Sequence, residues 1–507
     1  MIPDAAGAYR LFGATSSAVY LELGRGGCLS ILPSDVRALR CRTGGAMHAY
    51  DDTRFLGHPR GLAYLAFTQV WERFSFYGMQ ALLTLYMIHQ LLLPGHVENV
   101  IGFAGFRSIV EGVFGPLTTL ALASQIFGLY VGMISLTPLL GAWLGDRVLG
   151  QRVTTIVGLL LMAAGHLLMT SEALFLFALL LLIIGAGCIK GNMYAQVGNL
   201  YADGDGRRTP AFSIFLIALN LGAFAAPLVC GTLGERYGWH YGFGAAGLGM
   251  LVGVATCVAG WRYLPPDRFH AVRDTAPATP LDRKEWRAVG AVMLSLVPPL
   301  ILGAALFQAY NLVIVWAEAH VDRDIGDWTM PVTWLLTLDG LMTIVGVLIT
   351  FPVWRWLARR GLEPDTMQKF IVSSVLITLA YAILAMGANM GTPAGWLVPL
   401  AMVVLFFITL DVSFGWLDPP GNAFVSRFAP ARLVTTLMSV NLMLVAGVPN
   451  IIVGWLGRFY EPLGPAAFWW LHAGIAAGGG VAALLLRPLI ARLLNDREAT
   501  AMVAVPI

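Results

Sequence analysis

Charge is scarce in this chain. Only 12% of its 507 residues are Asp, Glu, Lys or Arg, against about a quarter in soluble domains. That excludes an ordinary soluble protein, and the net charge of +3 supplies no basic surface for nucleic acid. Lysine is the rarest charge, present only as Lys190, Lys284 and Lys369. The five cysteines (Cys28, Cys41, Cys188, Cys230 and Cys257) form no C-x-x-C pair and no metal-like cluster with histidine; they read as free thiols, with no metal expected. His166 and His472 fall in apolar runs, as packing residues. No G-x-x-x-x-G-K-[ST] loop and no nucleophile constellation occurs, so neither a nucleotide-driven step nor an enzyme is expected, and no cofactor. Residues 1–46 lack an apolar signal-peptide core. Met47 heads a short polar lead, and 1–57 are expected to be an N-terminal extension, disordered or arising from a mis-assigned start.

What the chain has is apolar length. Hydrophobic residues make up 57%, and mean hydropathy is +0.72. Crossing a hydrocarbon core of about 30 Å takes about 20 residues of helix. Twelve segments qualify: 60–91, 118–142, 152–171, 173–198, 210–233, 242–264, 286–317, 330–354, 367–388, 395–417, 433–457 and 466–491. The stretch 92–117 is too polar to span; its Ile101, Phe106, Ile109, Val110 and Phe114 suggest a short helix lying on the surface. The fold class is an all-α polytopic membrane protein in contact with the lipid bilayer.

The polar, Pro-rich segment 265–285 divides the spans six and six. The expected parts are bundles at 58–264 and 286–492, a linker at 265–285 and a tail at 493–507. Loop arginines concentrate on the side of Arg147, Arg152, Arg207, Arg208, Arg262, Arg355, Arg427 and Arg487, with few opposite. The positive-inside rule then puts both termini in the cytoplasm and the chain in the plasma (inner) membrane.

The polar exception within the apolar runs is Phe67–Leu85, which carries Glu72 and Arg73. An uncompensated charge inside a bilayer costs about 2.5–3.5 kcal/mol on insertion scales. On a helix Gln69, Glu72, Arg73, Phe76 and Gln80 fall on one side, an inward polar stripe. Lys190 is a lone cation in the fourth span, and Glu72 is its natural partner.

Five stretches carry a resemblance. G-A-W-L-G-D-R-V-L-G-Q-R at 141–152 resembles the loop signature of the major facilitator superfamily, whose fold has twelve helices in two six-helix halves. It makes Gly141, Asp146, Arg147 and Arg152 a gating loop, with Asp146 expected to cap the next helix. W-E-R-F-S-F-Y-G at 71–78 resembles the E-x-x-E-R-F-x-Y-Y-G motif of the proton-dependent oligopeptide transporter family, and G-A-G-C-I-K-G-N at 185–192 its Gly-rich helix with one Lys. F-S-I-F-L-I-A-L-N-L-G-A-F at 212–224 and D-P-P-G-N-A-F-V-S-R-F-A-P at 418–430 agree with two further elements of that family.

The resemblance implies a proton-coupled symporter for di-/tripeptides or related small solutes, working by alternating access as a monomeric unit. Glu72, Arg73 and Lys190 would form the proton-coupling network, with Asp339 the first candidate for an acid that the usual motif places elsewhere, ahead of Asp411. Gln69, Tyr77, Gln80, Asn220, Gln308, Asn311 and Trp334 would line the substrate site. The departures matter. Gln69, Gln80, Phe307 and Phe414 stand where the family carries charged residues, so the usual clamps for peptide carboxylate and amine are missing. A divergent member moving a non-peptide or uncharged solute, or a membrane sensor, is the alternative.

Overall fold

The computed structural model describes residues 9–11, 19–23, 29–33, 52–202, 204–267, 280–394 and 396–494. Two compact units emerge, Met1–Pro59 and Arg60–Ile507. In the first, strands Tyr9–Leu11, Val19–Leu23 and Leu29–Pro33 form an antiparallel sheet. The rest of the extension, most of the linker and nearly all of the tail lie outside the described residues, as do Cys28 and Cys41.

The second unit is a helical bundle. Among the described residues, ten helices are long and apolar enough to cross a membrane: Thr119–Arg147, Gln151–Leu168, Glu172–Asn199, Arg208–Tyr237, Trp239–Ala259, Arg283–Tyr310, Thr366–Gly391, Leu400–Phe428, Ala431–Leu463 and Pro465–Leu493. Arg60–Tyr86, with 27 residues, and Leu335–Arg359, with 25, have the length to make twelve. In the first of these the polar stripe lowers the hydropathy. Below, the twelve are counted in chain order as first to twelfth span.

Phe103–Phe114 is the expected short helix between the first and second spans. It turns Phe103 and Val110 inward and leaves Ile109 and Val113 exposed, so Val110 belongs to its packed face. The cysteines within the described residues, Cys188, Cys230 and Cys257, are free and buried.

Small residues bring the helices together. A Cβ at Gly141 in the second span would fall into the Gly187 carbonyl of the fourth. Asn192 donates to the Gly141 carbonyl at 2.9 Å, fastening the same crossing. Between the two sets of six, the second span meets the eleventh where Gly128 faces the Asn450 carbonyl and Gly454.

Several spans leave ideal α geometry part-way. The fifth has a π turn at Pro227–Gly231 and the eleventh one at Met443–Gly447. The seventh tightens to a 3₁₀ turn at Phe307–Tyr310 and breaks at Asn311 (φ −115°, ψ −96°) before Leu312–His320 resumes. The tenth contains Pro419 and Pro420, each lacking the N–H of an i→i−4 bond. Such irregular turns recur at functional sites, and here they border the central cavity.

Candidate functional site

A cavity of about 570 Å³ opens between the first six spans and the last six. Tyr77 of the first span and Leu216, Asn220 and Ala223 of the fifth form one wall. Phe307 and Tyr310 of the seventh, Asp339 of the eighth, Asp411, Phe414 and Asp418 of the tenth, and Val445 of the eleventh complete it. The lining is largely apolar, with three carboxyl groups set into it.

The Glu72–Arg73 pair lies just beyond that wall. Glu72 is fully buried. Arg73 donates to it through Nε at 2.5 Å and Nη2 at 2.7 Å, and Gln69 Nε2 donates at 3.2 Å. This bidentate fork satisfies the carboxylate within its own helix. Lys190 therefore makes no ion pair with Glu72: its ammonium sits 5.4 Å from the Phe76 ring centroid, while the Arg73 guanidinium lies 5.1 Å from the same ring. Two cations thus lie near one aromatic ring, and the one carboxylate beside them is bound to Arg73. Tyr77 is within electrostatic reach of Arg73 and Glu72 on one side and of Asp339 on the other.

Across the cavity the Tyr310 hydroxyl donates to Asp339 Oδ1 at 2.6 Å. The Asp339 and Asp411 side chains lie within hydrogen-bonding reach of each other. Asp411 is only 4% exposed, and its Oδ2 accepts no other bond among the described residues. Two carboxylates that close repel each other unless a proton lies between them. Asp418 accepts from Asn422 at 3.1 Å.

The other residues named from the sequence divide. Asn220 lines the cavity and spends its Nδ2 on the Leu216 carbonyl at 2.9 Å, leaving its oxygen free to face a ligand. Gln80 borders a small adjoining pocket with Tyr77, Tyr310 and Asp339, and its Oε1 accepts nothing among the described residues. Gln69 supports Glu72 and is absent from the lining. Gln308 is fully buried beside the break in the seventh span, away from the lining, with both amide atoms unpaired among the described residues.

Asn311 and Trp334 also stand outside the cavity and tie the two sets of spans together. Asn311 donates to Ser124 at 2.7 Å and accepts from Thr84 at 3.2 Å. Trp334 Nε1 donates to Thr232 Oγ1 at 2.8 Å.

These ties belong to a larger group at one end. Glu235 accepts from the Val332 and Thr333 amides at 2.9 Å each and from the Thr333 hydroxyl at 2.6 Å. His89 meets Glu318 at 2.6 Å. Arg458 donates to the Phe114 carbonyl at 2.7 Å, and Thr118 to Glu461.

At the opposite end the loop at 141–152 differs from expectation in its cap. Asp146 accepts from the Gln151 side chain at 3.0 Å and does not cap the third span. Gly150 occupies the N-cap at φ +83°, and Asp267 accepts the Arg152 backbone N–H at 2.9 Å. A Cβ at Gly150 would collide with the Asp267 carboxyl, so the distant acid is the one that fits. Arg152 donates to the Pro265 and Leu264 carbonyls, and Arg147 ends the second span.

Tyr310 and Asp418 were not singled out from the sequence, and Asp411 only as a second choice. The available signal was a charge imbalance: unpaired acids in the last six spans with no basic residue beside them.

Residues 65–453 match the model of the Major Facilitator Superfamily. The chain belongs to that superfamily, and within it to the proton-dependent oligopeptide transporter (POT) family. It is 28% identical to an uncharacterized transporter, YclF, of Bacillus subtilis, covering 87% of this chain and 96% of that one. The peptide transporter YePEPT of Yersinia enterocolitica is 25% identical, over 88% and 97%. A crystal structure of peptide transporter POT in complex with sulfate superposes with a TM-score of 0.74 at 26% identity, over 87% and 96%.

Proposed function

We propose that this protein is a proton-coupled symporter importing di-/tripeptides or related small solutes by alternating access. The cavity carries the reading: it lies between the two sets of six spans, within the about 300–1,000 Å³ of ligand pockets, and a lattice of hydrogen bonds latches one end of the molecule beyond it. A site closed on one side is one state of a rocking transporter. Relatives named as peptide transporters favour peptides over an unrelated solute or a sensor.

The coupling follows from the charges. A proton delivered to Glu72 removes the carboxylate that holds Arg73. Arg73 and Lys190 then stand as two uncompensated cations around Phe76, which favours a rearrangement that brings them acid partners. Tyr77 links this group to Asp339, whose contact with Asp411 gives a second place for a proton. Each proton moved inward down the membrane potential supplies about 2.3 kcal/mol per 100 mV. The arginine-rich end faces the cytoplasm of a plasma (inner) membrane, with both termini inside and one chain as the functional unit.

The test is uptake into proteoliposomes of dipeptides, tripeptides and amino acids, with and without an imposed proton gradient. Peptide accumulation that collapses when the gradient is dissipated is expected; accumulation indifferent to the gradient would refute coupling.

A further inference from the structure

Among the described residues that line the cavity, three are acids and none is Lys, Arg or His. Asp339, Asp411 and Asp418 come from the eighth and tenth spans and face an otherwise largely apolar space. Asp411 is almost wholly buried, yet among the described residues its Oδ2 has no donor. A buried carboxylate oxygen without a donor is costly to leave unmatched. The cations of the region do not answer it. Arg73 is committed to Glu72, and Lys190 has Arg73 and Glu72 as its electrostatic neighbours, not the three acids. Even with one proton shared between Asp339 and Asp411, the cavity keeps more negative charge than the single ammonium of a neutral dipeptide balances. No basic side chain of the lining receives a ligand carboxylate.

We infer that the cavity selects peptides of net positive charge, with Asp339 and Asp411 holding one ammonium or guanidinium group and Asp418 the other. This rests on the peptide-transport reading above and adds its charge class. Peptides with a Lys or Arg side chain fit; those with an Asp or Glu side chain add a fifth carboxylate to the three of the cavity and the one at the peptide's own C-terminus.

The test uses the full chain in proteoliposomes, with the membrane potential clamped at zero so that charge does not itself drive uptake. Dialanine, alanyl-lysine and alanyl-glutamate compete against labelled dialanine under an inward proton gradient. Alanyl-lysine is expected to compete about tenfold better than dialanine, and alanyl-glutamate at least about tenfold worse, the size of one charge contact of 1.4 kcal/mol. Asp418→Asn should narrow the lysine-to-alanine ratio, and Asp418→Glu should restore it. Equal potency of the three peptides in the unmodified chain overturns the inference, as does an unchanged ratio in both Asp418→Asn and Asp411→Asn. If the variants do not fold, the unmodified chain decides alone. If no peptide enters at all, the transport reading itself falls and the charge class with it.

Discussion

Glu235 offers the sharpest test of the latch. Its carboxylate sits at the end of the fifth span and accepts three hydrogen bonds from Val332 and Thr333, the first turn of the helix that opens the eighth. One half of the molecule thus caps a helix of the other, in the favourable sense of an anion at a helix N-terminus. When the halves part, both sides pass to water. The net worth of the contact therefore enters the equilibrium between latched and open states directly. A hydrogen bond to a charged group is worth about 1.5–3 kcal/mol net, a neutral one about 0.5–1.5. Glu235→Gln keeps one acceptor and loses the charge, and should shift the equilibrium by about 1.5 kcal/mol, roughly tenfold. Glu235→Ala loses all three bonds and should shift it by at least about 3 kcal/mol, more than a hundredfold. The readout is the rate at which a cysteine replacing Leu336, which borders the pocket beside Gln80, reacts with a membrane-impermeant maleimide added from the latched side. Cys28 and Cys41 are replaced by serine, and the three buried native cysteines contribute little background. The rate should rise in the order wild type, Gln, Ala. Equal rates in all three, with the protein folded, would show that this contact does not hold the closed state.

Glu72→Gln should strand the buried Arg73 guanidinium, lowering stability by about 3–5 kcal/mol and abolishing gradient-driven uptake; thermal unfolding in detergent and proteoliposome uptake check the two parts. Gly141→Ala should force the second and fourth spans apart at Gly187 and cost about 1–3 kcal/mol, read as a lower melting temperature. Glu111, in the short helix Phe103–Phe114, is held below the usual carboxylate range by the Leu117 amide and by Arg107. A depressed carboxylate stabilises above its unfolded value, and that stabilisation disappears as pH falls through its folded value. The protection of amides 103–117 against hydrogen exchange, taken relative to the intrinsic rate at each pH, should accordingly fall in acid, and Glu111→Gln should remove that fall.

Much of the fold was legible because its signals are long and local. Twelve apolar runs need only length, and the observed helices extend several of them by about a turn. The site was legible where a motif is local, as at Glu72 and Arg73, but the pairing was not. Neighbouring residues on a helix point about 100° apart, so periodicity directs Glu72 towards another span and Lys190 becomes the obvious partner. The long Arg73 side chain instead folds back along its own helix and takes the carboxylate. Trp334 shows the complementary failure. An aromatic beside a span reads as a pocket wall, yet its indole N–H finds Thr232 across the halves, a pairing that depends on two helix ends meeting.

The acid pair was hidden for a different reason. Asp339 and Asp411 stand on helices far apart in sequence, and each alone reads as a helix-end carboxylate. What joins them is the packing of the eighth span on the tenth, where Gly346 meets the Asp411 backbone and Gly415 meets Thr350. Glycines at both crossings let the helices approach, and that approach sets two unremarkable aspartates side by side. The charge inventory then acquires an arrangement. Around Phe76 the first six spans bring together the cations Arg73 and Lys190 with one acid, Glu72. The last six hold three acids facing the cavity without a cation. Such a division leaves each half incomplete in charge, and in the proposed mechanism a proton on Glu72 and a positive solute beside Asp411 act on opposite sides of the same imbalance. Coupling between them then needs no direct contact, only that both alter the attraction between the same two halves.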